Sequence, residues 1–489
     1  ELAKASSALM GVGALYMPGL ALAGKESEIK ISESTETRAH ERREVGSRLQ
    51  AENIQLSAEN DMTLTGSSLA ADEESGKVVM LADNILLDTA VTETTTTERN
   101  ETETASSIDP SLKKDEVSLG GLRLTELEQS TVTNSLTHSG SSITGNQIVL
   151  EADNALSLIN ADINATGEDG VLSLAGESVE ITGVQDEKTV TDTLKEKTTE
   201  TTVGIRNAYV DAAYAVEGLK KAVDAVDDAR DDLKDAERRV ERGELAKEAL
   251  EDYRIMLAAA SANLVQTELA STQALAATAA GAAAGGTGFY VSGSAQHSET
   301  TSTSTTTEKT WQGSSLNATA MSINADKAAS IIGSEVNAGV LDLNATDILI
   351  GAGTNEQSSR FEQESKNGGF SVSTSGAGSW NANAGFNEAE SESQATQYVN
   401  SQLNVGHLKS TSDSLTVKGG VVTANTANID TGTLHIESLQ DTHSSSNSSV
   451  GANIGVGGGT DSVGKPQGGS AGFNMANGSS EGAKTNQQS

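Results

Sequence analysis

Histidines, paired carboxylates and glycine-rich turns are the residues of this sequence that could do chemistry, and their spacing is the first test of each. The six histidines (His40, His138, His297, His407, His435, His443) could ligate a metal or act as general bases. None stands three to five residues from another, the spacing that brings two ligands together on one turn. Most lie in polar stretches or at bends, where a solvated side chain is the simpler reading. Asp227-Asp228 and Asp231-Asp232 offer carboxylates to Ca²⁺, yet they fall on the charged side of a heptad-patterned helix and read as a solvated face. Gly457-Gly458-Gly459-Thr460-Asp461 has the composition of a calcium-binding nonapeptide, which works in tandem and here occurs once. Gly285-Gly286-Thr287-Gly288 lacks the Lys-Ser/Thr that would complete a phosphate loop. Asn164-Ala165-Thr166 and Asn317-Ala318-Thr319 are glycosylation sequons, but Asn at bends has a sufficient role in turns. With no cysteine, thiolate metal sites, thiol redox chemistry and disulfides are excluded. No catalytic, cofactor-binding or metal-binding residue is therefore assigned, no cofactor is expected, and the chain is not expected to be an enzyme.

Composition points the same way. The 489 residues carry 33 Lys+Arg against 69 Asp+Glu, a formal charge of −36. Such a chain repels the phosphates of nucleic acid and anionic lipid surfaces. Aromatics are only 3% of the chain, fewer than an enzyme core of this length normally uses. A thin, repetitive core of stacked Leu, Ile, Val and Ala would need no more. The apolar run Ala5–Ala23, ending Ala21-Leu22-Ala23-Gly24, has a signal-peptide-like end. Pro18 breaks it, and it is too interrupted for a membrane span, so an integral membrane protein is not expected.

The elements come from self-similarity. Gly46-Ser47-Arg48-Leu49, Gly140-Ser141-Ser142-Ile143, Gly313-Ser314-Ser315-Leu316 and Asn400-Ser401-Gln402-Leu403 open four blocks. Apolar residues follow in pairs two apart: Ile54/Leu56 and Met62/Leu64 in the first block, Ile148/Leu150 and Leu156/Leu158 in the second. The third has Met321/Ile323 and Ala329/Ile331, and the fourth drops one residue to read Leu408, Leu415, Val417 and Val422. The opening signature recurs about 20 residues later at Gly66, Asn160 and Gly333. Second coils follow, with Val79, Leu81, Ile85 and Leu87 in the first block and Leu172, Leu174, Val179 and Ile181 in the second. The last blocks give Leu341, Leu343, Ile348 and Ile350, then Ala427, Ile429, Leu434 and Ile436. Strand alternation nested in a 20-residue period predicts an all-β fold, a parallel β-helix or solenoid.

Between blocks the chain leaves the stack and returns. The β-helix blocks are placed at 46–185, with an extruded arm at 92–136, and at 311–442, with an arm at 354–398. Residues 1–45 form the returning half of a further excursion, and 443–489 a Gly/Ser-rich excursion or disordered tail. The arms are rich in Thr, Ser and Glu, and are expected to be extruded β-ribbons. The excursion 186–310 contains a heptad seam, Leu219, Ala222, Val226, Ala229, Leu233, Ala236 and Val240, with a second arm from Leu250 to Leu264. This predicts an inserted antiparallel α-hairpin over 205–285.

The pattern Gly-Ser-x-Leu-x-Ala-x-x-Ile-x-Leu-x-Ala at Gly46–Ala58, echoed at Gly313–Ala325, resembles the haemagglutinin repeats of filamentous haemagglutinin and of contact-dependent growth inhibition exoproteins. The Thr/Glu-rich arms and the stretch from Val417-Lys418-Gly419-Gly420 to Leu439-Gln440-Asp441 are similar to the second repeat region of those proteins. The resemblance implies a right-handed β-helical filament, exported by an outer-membrane transporter of a two-partner secretion system and carried at the bacterial surface. The function expected is that of a structural stalk segment of a large secreted adhesin, with a receptor that is unknown. The alternative is the delivery segment of a contact-dependent growth inhibition toxin. A carbohydrate-active β-helix enzyme would need clustered acids and aromatics, and Trp311 and Trp380 both lie in excursions.

Overall fold

The computed structural model describes residues 28–108, 111–112, 116–242, 289–373, 379–460 and 466–487. They are nearly all β-strand, with a single described helix, Ala208–Glu241. The all-β expectation therefore holds. The N-terminal apolar run, the second helical arm and the Gly285–Gly288 turn lie outside the described residues.

Two kinds of pairing divide the strands. Eight windings of the chain, at 46–65, 66–88, 140–159, 160–182, 313–332, 333–351, 400–418 and 419–437, lie one on another. Their registers carry three apolar ladders through the stack. One runs Leu49, Leu69, Ile143, Ile163, Leu316, Val336, Leu403, Val422. A second runs Ile54, Val78, Ile148, Leu172, Met321, Leu341, Leu408, Ala427. The third runs Met62, Ile85, Leu156, Val179, Ala329, Ile348, Leu415, Leu434. Members in the middle windings are almost fully buried, each worth about 1.5–3 kcal/mol for a large aliphatic side chain.

In one winding the inward pair differs from the sequence reading. Val78 and Met80 are buried, whereas Val79 and Leu81 are only partly so. Val78-Val79-Met80-Leu81 is apolar throughout, so alternation cannot say which pair faces in. Registration against Ile148 and Leu150 decides it, and a one-residue slip exchanges the faces. In the fourth block Ser410 takes the inward place held by Leu343 one winding earlier, and its Oγ is buried with no hydrogen-bond partner. Ile429, Leu434 and Ile436 are exposed, because no described winding covers them.

The corners explain the block signatures. Gly66, Asn160, Gly333 and Gly419, which open the second winding of each block, all have left-handed backbones (φ +53°, +49°, +53°, +69°). Only Gly, and less readily Asn, adopts that region at low cost. Gly46, Gly140 and Gly313 have a different reason: an added Cβ would lie 1.6, 1.6 and 1.9 Å from the carbonyl oxygen of the corner residue above. Next to them runs a serine ladder. The backbone N–H groups of Ser47, Ser67, Ala161, Ser314 and Ser334 donate to the hydroxyls of Ser67, Ser141, Ser314, Ser334 and Ser401. The block-opening hydroxyls in turn bridge two carbonyls of the preceding block. Ser141 reaches Leu64 and Asp88, Ser314 reaches Leu158 and Thr182, and Ser401 reaches Ile331 and Gly351. Asp88, Thr182 and Gly351 lie where the chain leaves the stack, so these serines close the exits.

The segments that leave the stack are long strands rather than loops. In chain order they are Glu28–Arg43, Ala90–Ile108, Glu116–Ser139, Val184–Asn207, Phe289–Gln312, the outer part of Asp347–Ser373, the outer part of Ser379–Lys418, Gln440–Thr460 and Pro466–Gln487. Each pairs antiparallel with the next, forming one lateral sheet, or fin, along the stack. Each block thus adds two windings to the stack and two strands to the fin. Strand spacing is about 4.8 Å in both, so stack and fin climb together by about 10 Å per block.

Candidate interaction surfaces

Near the stack the fin is a field of hydroxyls. Thr189, Thr191 and Thr193 face Thr307, Thr305 and Thr303 across one strand pair. Their hydroxyls bond to each other, Thr189 Oγ1 to Thr307 Oγ1 at 3.1 Å and Thr191 Oγ1 to Thr305 Oγ1 at 3.4 Å. Threonine serves here because it favours strands and satisfies its own hydroxyl without an apolar layer beneath. Ion pairs cross the same sheet: Arg99 to Glu128 at 2.7 Å, Arg123 to Glu200 at 3.2 Å and Arg360 to Glu390 at 2.8 Å. They are solvent-exposed, and each contributes at most about 1 kcal/mol.

The histidines are dispersed. His138 Nδ1 lies 3.0 Å from Asp186 Oδ1, which also accepts the His138 backbone N–H at 2.7 Å, pinning the foot of one fin strand to the next. His297 Nδ1 contacts Thr199 Oγ1 at 2.9 Å and His407 Nδ1 contacts Thr426 Oγ1 at 2.6 Å. His435 lies 3.5 Å from Glu437, while His40 and His443 stand in the fin opposite Thr95 and Ala395. Among the described residues no three His, Asp or Glu side chains converge as a metal site would require.

Both sequons are used by the stack. Thr166 Oγ1 donates to the Glu73 carbonyl at 2.6 Å, and Thr319 Oγ1 to the Gly167 carbonyl at 3.3 Å. Asn317 belongs to an amide ladder in which Asn404 Nδ2 donates to Asn337 Oδ1 and Asn337 Nδ2 to Asn317 Oδ1, at 3.1 and 2.9 Å. The acidic turn after the second corner strand is likewise structural. Asp72 accepts the Ser75 backbone N–H and hydroxyl and the Glu74 N–H, which hold its carboxyl below the usual range. Asp227 and Asp231 pair with Arg230 and Lys234 three residues on, on the exposed side of the helix. The seam residues Ala222, Val226 and Ala236 are buried. Among the described residues no helix is long and apolar enough to cross a membrane.

This arrangement presents surfaces and edges. The hemagglutinin repeat family matches residues 29–198 and 294–452, more than half of the chain and both sides of the helical insert. No curated protein matches. Among solved structures, a crystal structure of FemX is similar at 10% identity over 20% of this chain and 21% of that one, with a TM-score of 0.14. Crystal structures of CusC, concerned with folding and transmembrane channel formation, are similar at 9% identity over 25% of this chain and 51% of that one, with a TM-score of 0.13. Likeness at this level carries no argument about fold or function.

Proposed function

The chain belongs to the hemagglutinin repeat family of filamentous-haemagglutinin-like proteins, and from that membership we propose that it is a stalk segment of a large secreted bacterial adhesin. In this reading the eight windings form a right-handed parallel β-helix, about 40 Å long at about 4.8 Å per winding. The excursions ride on it as a fin, with the helix Ala208–Glu241 at the tip of one of them. Export would run through the outer-membrane transporter of a two-partner secretion system, leaving the filament at the cell surface.

The observation that carries this reading is the continuity of the three apolar ladders through all eight windings. A stack of that kind transmits length and stiffness, with its backbone groups bonded between windings. Haemagglutinin repeats are typically structural or adhesive, and the dispersed histidines and internally bonded threonines are consistent with such a role.

The test is to lengthen or shorten the stalk by whole blocks within the parent protein. Removing one block should bring the distal tip about 10 Å closer to the cell in electron micrographs of surface filaments, with adhesion retained. Adhesion abolished by loss of a block, with the filament still displayed, would mean that this region itself holds the receptor site.

A further inference from the structure

The outer end of the fin has two unlike faces. Paired residues of an antiparallel sheet point to the same side, so registers assign the faces directly. One row reads Leu122, Thr201, Ala295, Phe370, Ala382, Val456 across six strands. The next row on that side reads Leu124, Thr199, His297, Gly368, Ala384, Ile454. Trp380 and Phe386 flank these rows on the same strand face as Ala382 and Ala384. The opposite side reads Arg123, Glu200, Gln296, Gly369, Asn383, Gly455, then Thr125, Thr198, Ser298, Asn367, Gly385, Asn453. One face is therefore apolar and the other polar. The apolar side chains are uncovered, with Trp380, Phe386 and Ile454 exposed by 44%, 43% and 50%.

We propose that this apolar face is a homodimer interface, on which a second copy of the chain packs its own fin, sheet against sheet. A sheet apolar on one face only is half of a sandwich, and the other half normally lies about 10 Å away. The relief of the face favours an identical partner. Phe370 stands between Ala295 and Ala382, and Ala295 is recessed to 6% exposure beside it. With alanines on both sides of Phe370 in its row, a two-fold axis lets the ring of each copy enter a hollow over the alanines of the other. Six strands by three or four rows cover about 25 by 20 Å. With side-chain relief that approaches the roughly 800 Å² per partner of a standard interface. Anionic lipid is the poorer occupant, because the chain carries a formal charge of −36.

The test is sedimentation velocity of the purified full chain across a wide concentration range. The mass should double with concentration, and Trp380 emission should shift to the blue as it does so. Phe370→Glu with Ile454→Glu should raise the dimer dissociation constant by about tenfold or more. Gln296→Glu with Asn453→Glu adds the same charge to the polar face and should leave it unchanged. Circular dichroism checks that each variant keeps its β signal, and Phe370→Ser with Ile454→Ser replaces the first pair if it does not fold. A wild-type chain that stays monomeric overturns the proposal. So does equal weakening by both charge pairs, or a dimer dissolved only by Ile436→Glu at the open end of the stack. Binding of the monomer to phosphatidylcholine vesicles, lost in the Phe370/Ile454 variant, would assign the face to lipid instead.

Discussion

Ser314 holds three backbone groups with one hydroxyl: it accepts the Ala161 N–H and bridges the carbonyls of Leu158 and Thr182. The Ala161 N–H and the Leu158 carbonyl meet it at a buried corner, where an unbonded group costs about 1–3 kcal/mol. Ser314→Ala should therefore lower stability by about that amount, seen as a fall in the thermal midpoint, while Ser302→Ala in the fin should change it little. Ala161 interrupts the ladder inside the stack, between Ser141 and Ser314, and Ala161→Ser should raise the midpoint. The corner residues make a second, sharper contrast. At Gly333 an added Cβ would meet Trp311 Nε1 at 2.3 Å in a backbone at φ +53°, and Trp311 Nε1 donates to the Gly333 carbonyl. Gly333→Val should cost several kcal/mol, on the order of other strained, overpacked sites. Asn160→Gly, in the same conformation, should be neutral or mildly stabilising, by at most about 1 kcal/mol.

The helix and the fin strands differ in what they depend on. Asn207 and Phe289 pair across the end of one fin hairpin, so the insert between them enters and leaves at a single point. Replacing 208–288 by a short glycine turn should remove the helical circular dichroism signal and keep the β signal and thermal midpoint. A midpoint that collapses with the helix would show that the insert braces the stack. Among the described residues the fin meets the stack at its strand feet, as where Trp311 Nε1 donates to the Gly333 carbonyl at 2.8 Å. Its outer strands should accordingly exchange amide hydrogens faster than the middle windings, whose ladders are fully buried.

Across the whole molecule the two-by-two rule sets which lengths are allowed. Stack and fin advance by the same spacing, so a block can be removed only with both its windings and its two strands. Deleting 140–312 joins the end of one returning strand to the start of another block, as Ser139 joins Gly140 and Gln312 joins Gly313 in the intact chain. That variant should fold with a single cooperative transition. Deleting 160–182 removes one winding and leaves the fin complete, so stack and fin fall out of step by about 4.8 Å. It should aggregate or melt well below the wild type, measured by scanning calorimetry.

The sequence by itself determined the class of fold, the family and most of the core, because a side-chain period of two inside a winding period near 20 fixes which residues meet in the stack. Gly66, Asn160 and Gly333 were legible as recurring corners because few residues tolerate a left-handed backbone. Where four apolar residues run together, as at Val78–Leu81, the pattern is silent and only registration against the neighbouring winding chooses the buried pair. No local pattern shows that successive excursions pair with each other, since those contacts join segments up to 128 residues apart in the chain, as for Val184 and Gln312. The two-faced outer end of the fin follows from that pairing. Leu122-Arg123-Leu124 and Phe370-Ser371-Val372 each alternate in sequence, but only the shared register puts their apolar side chains on one surface.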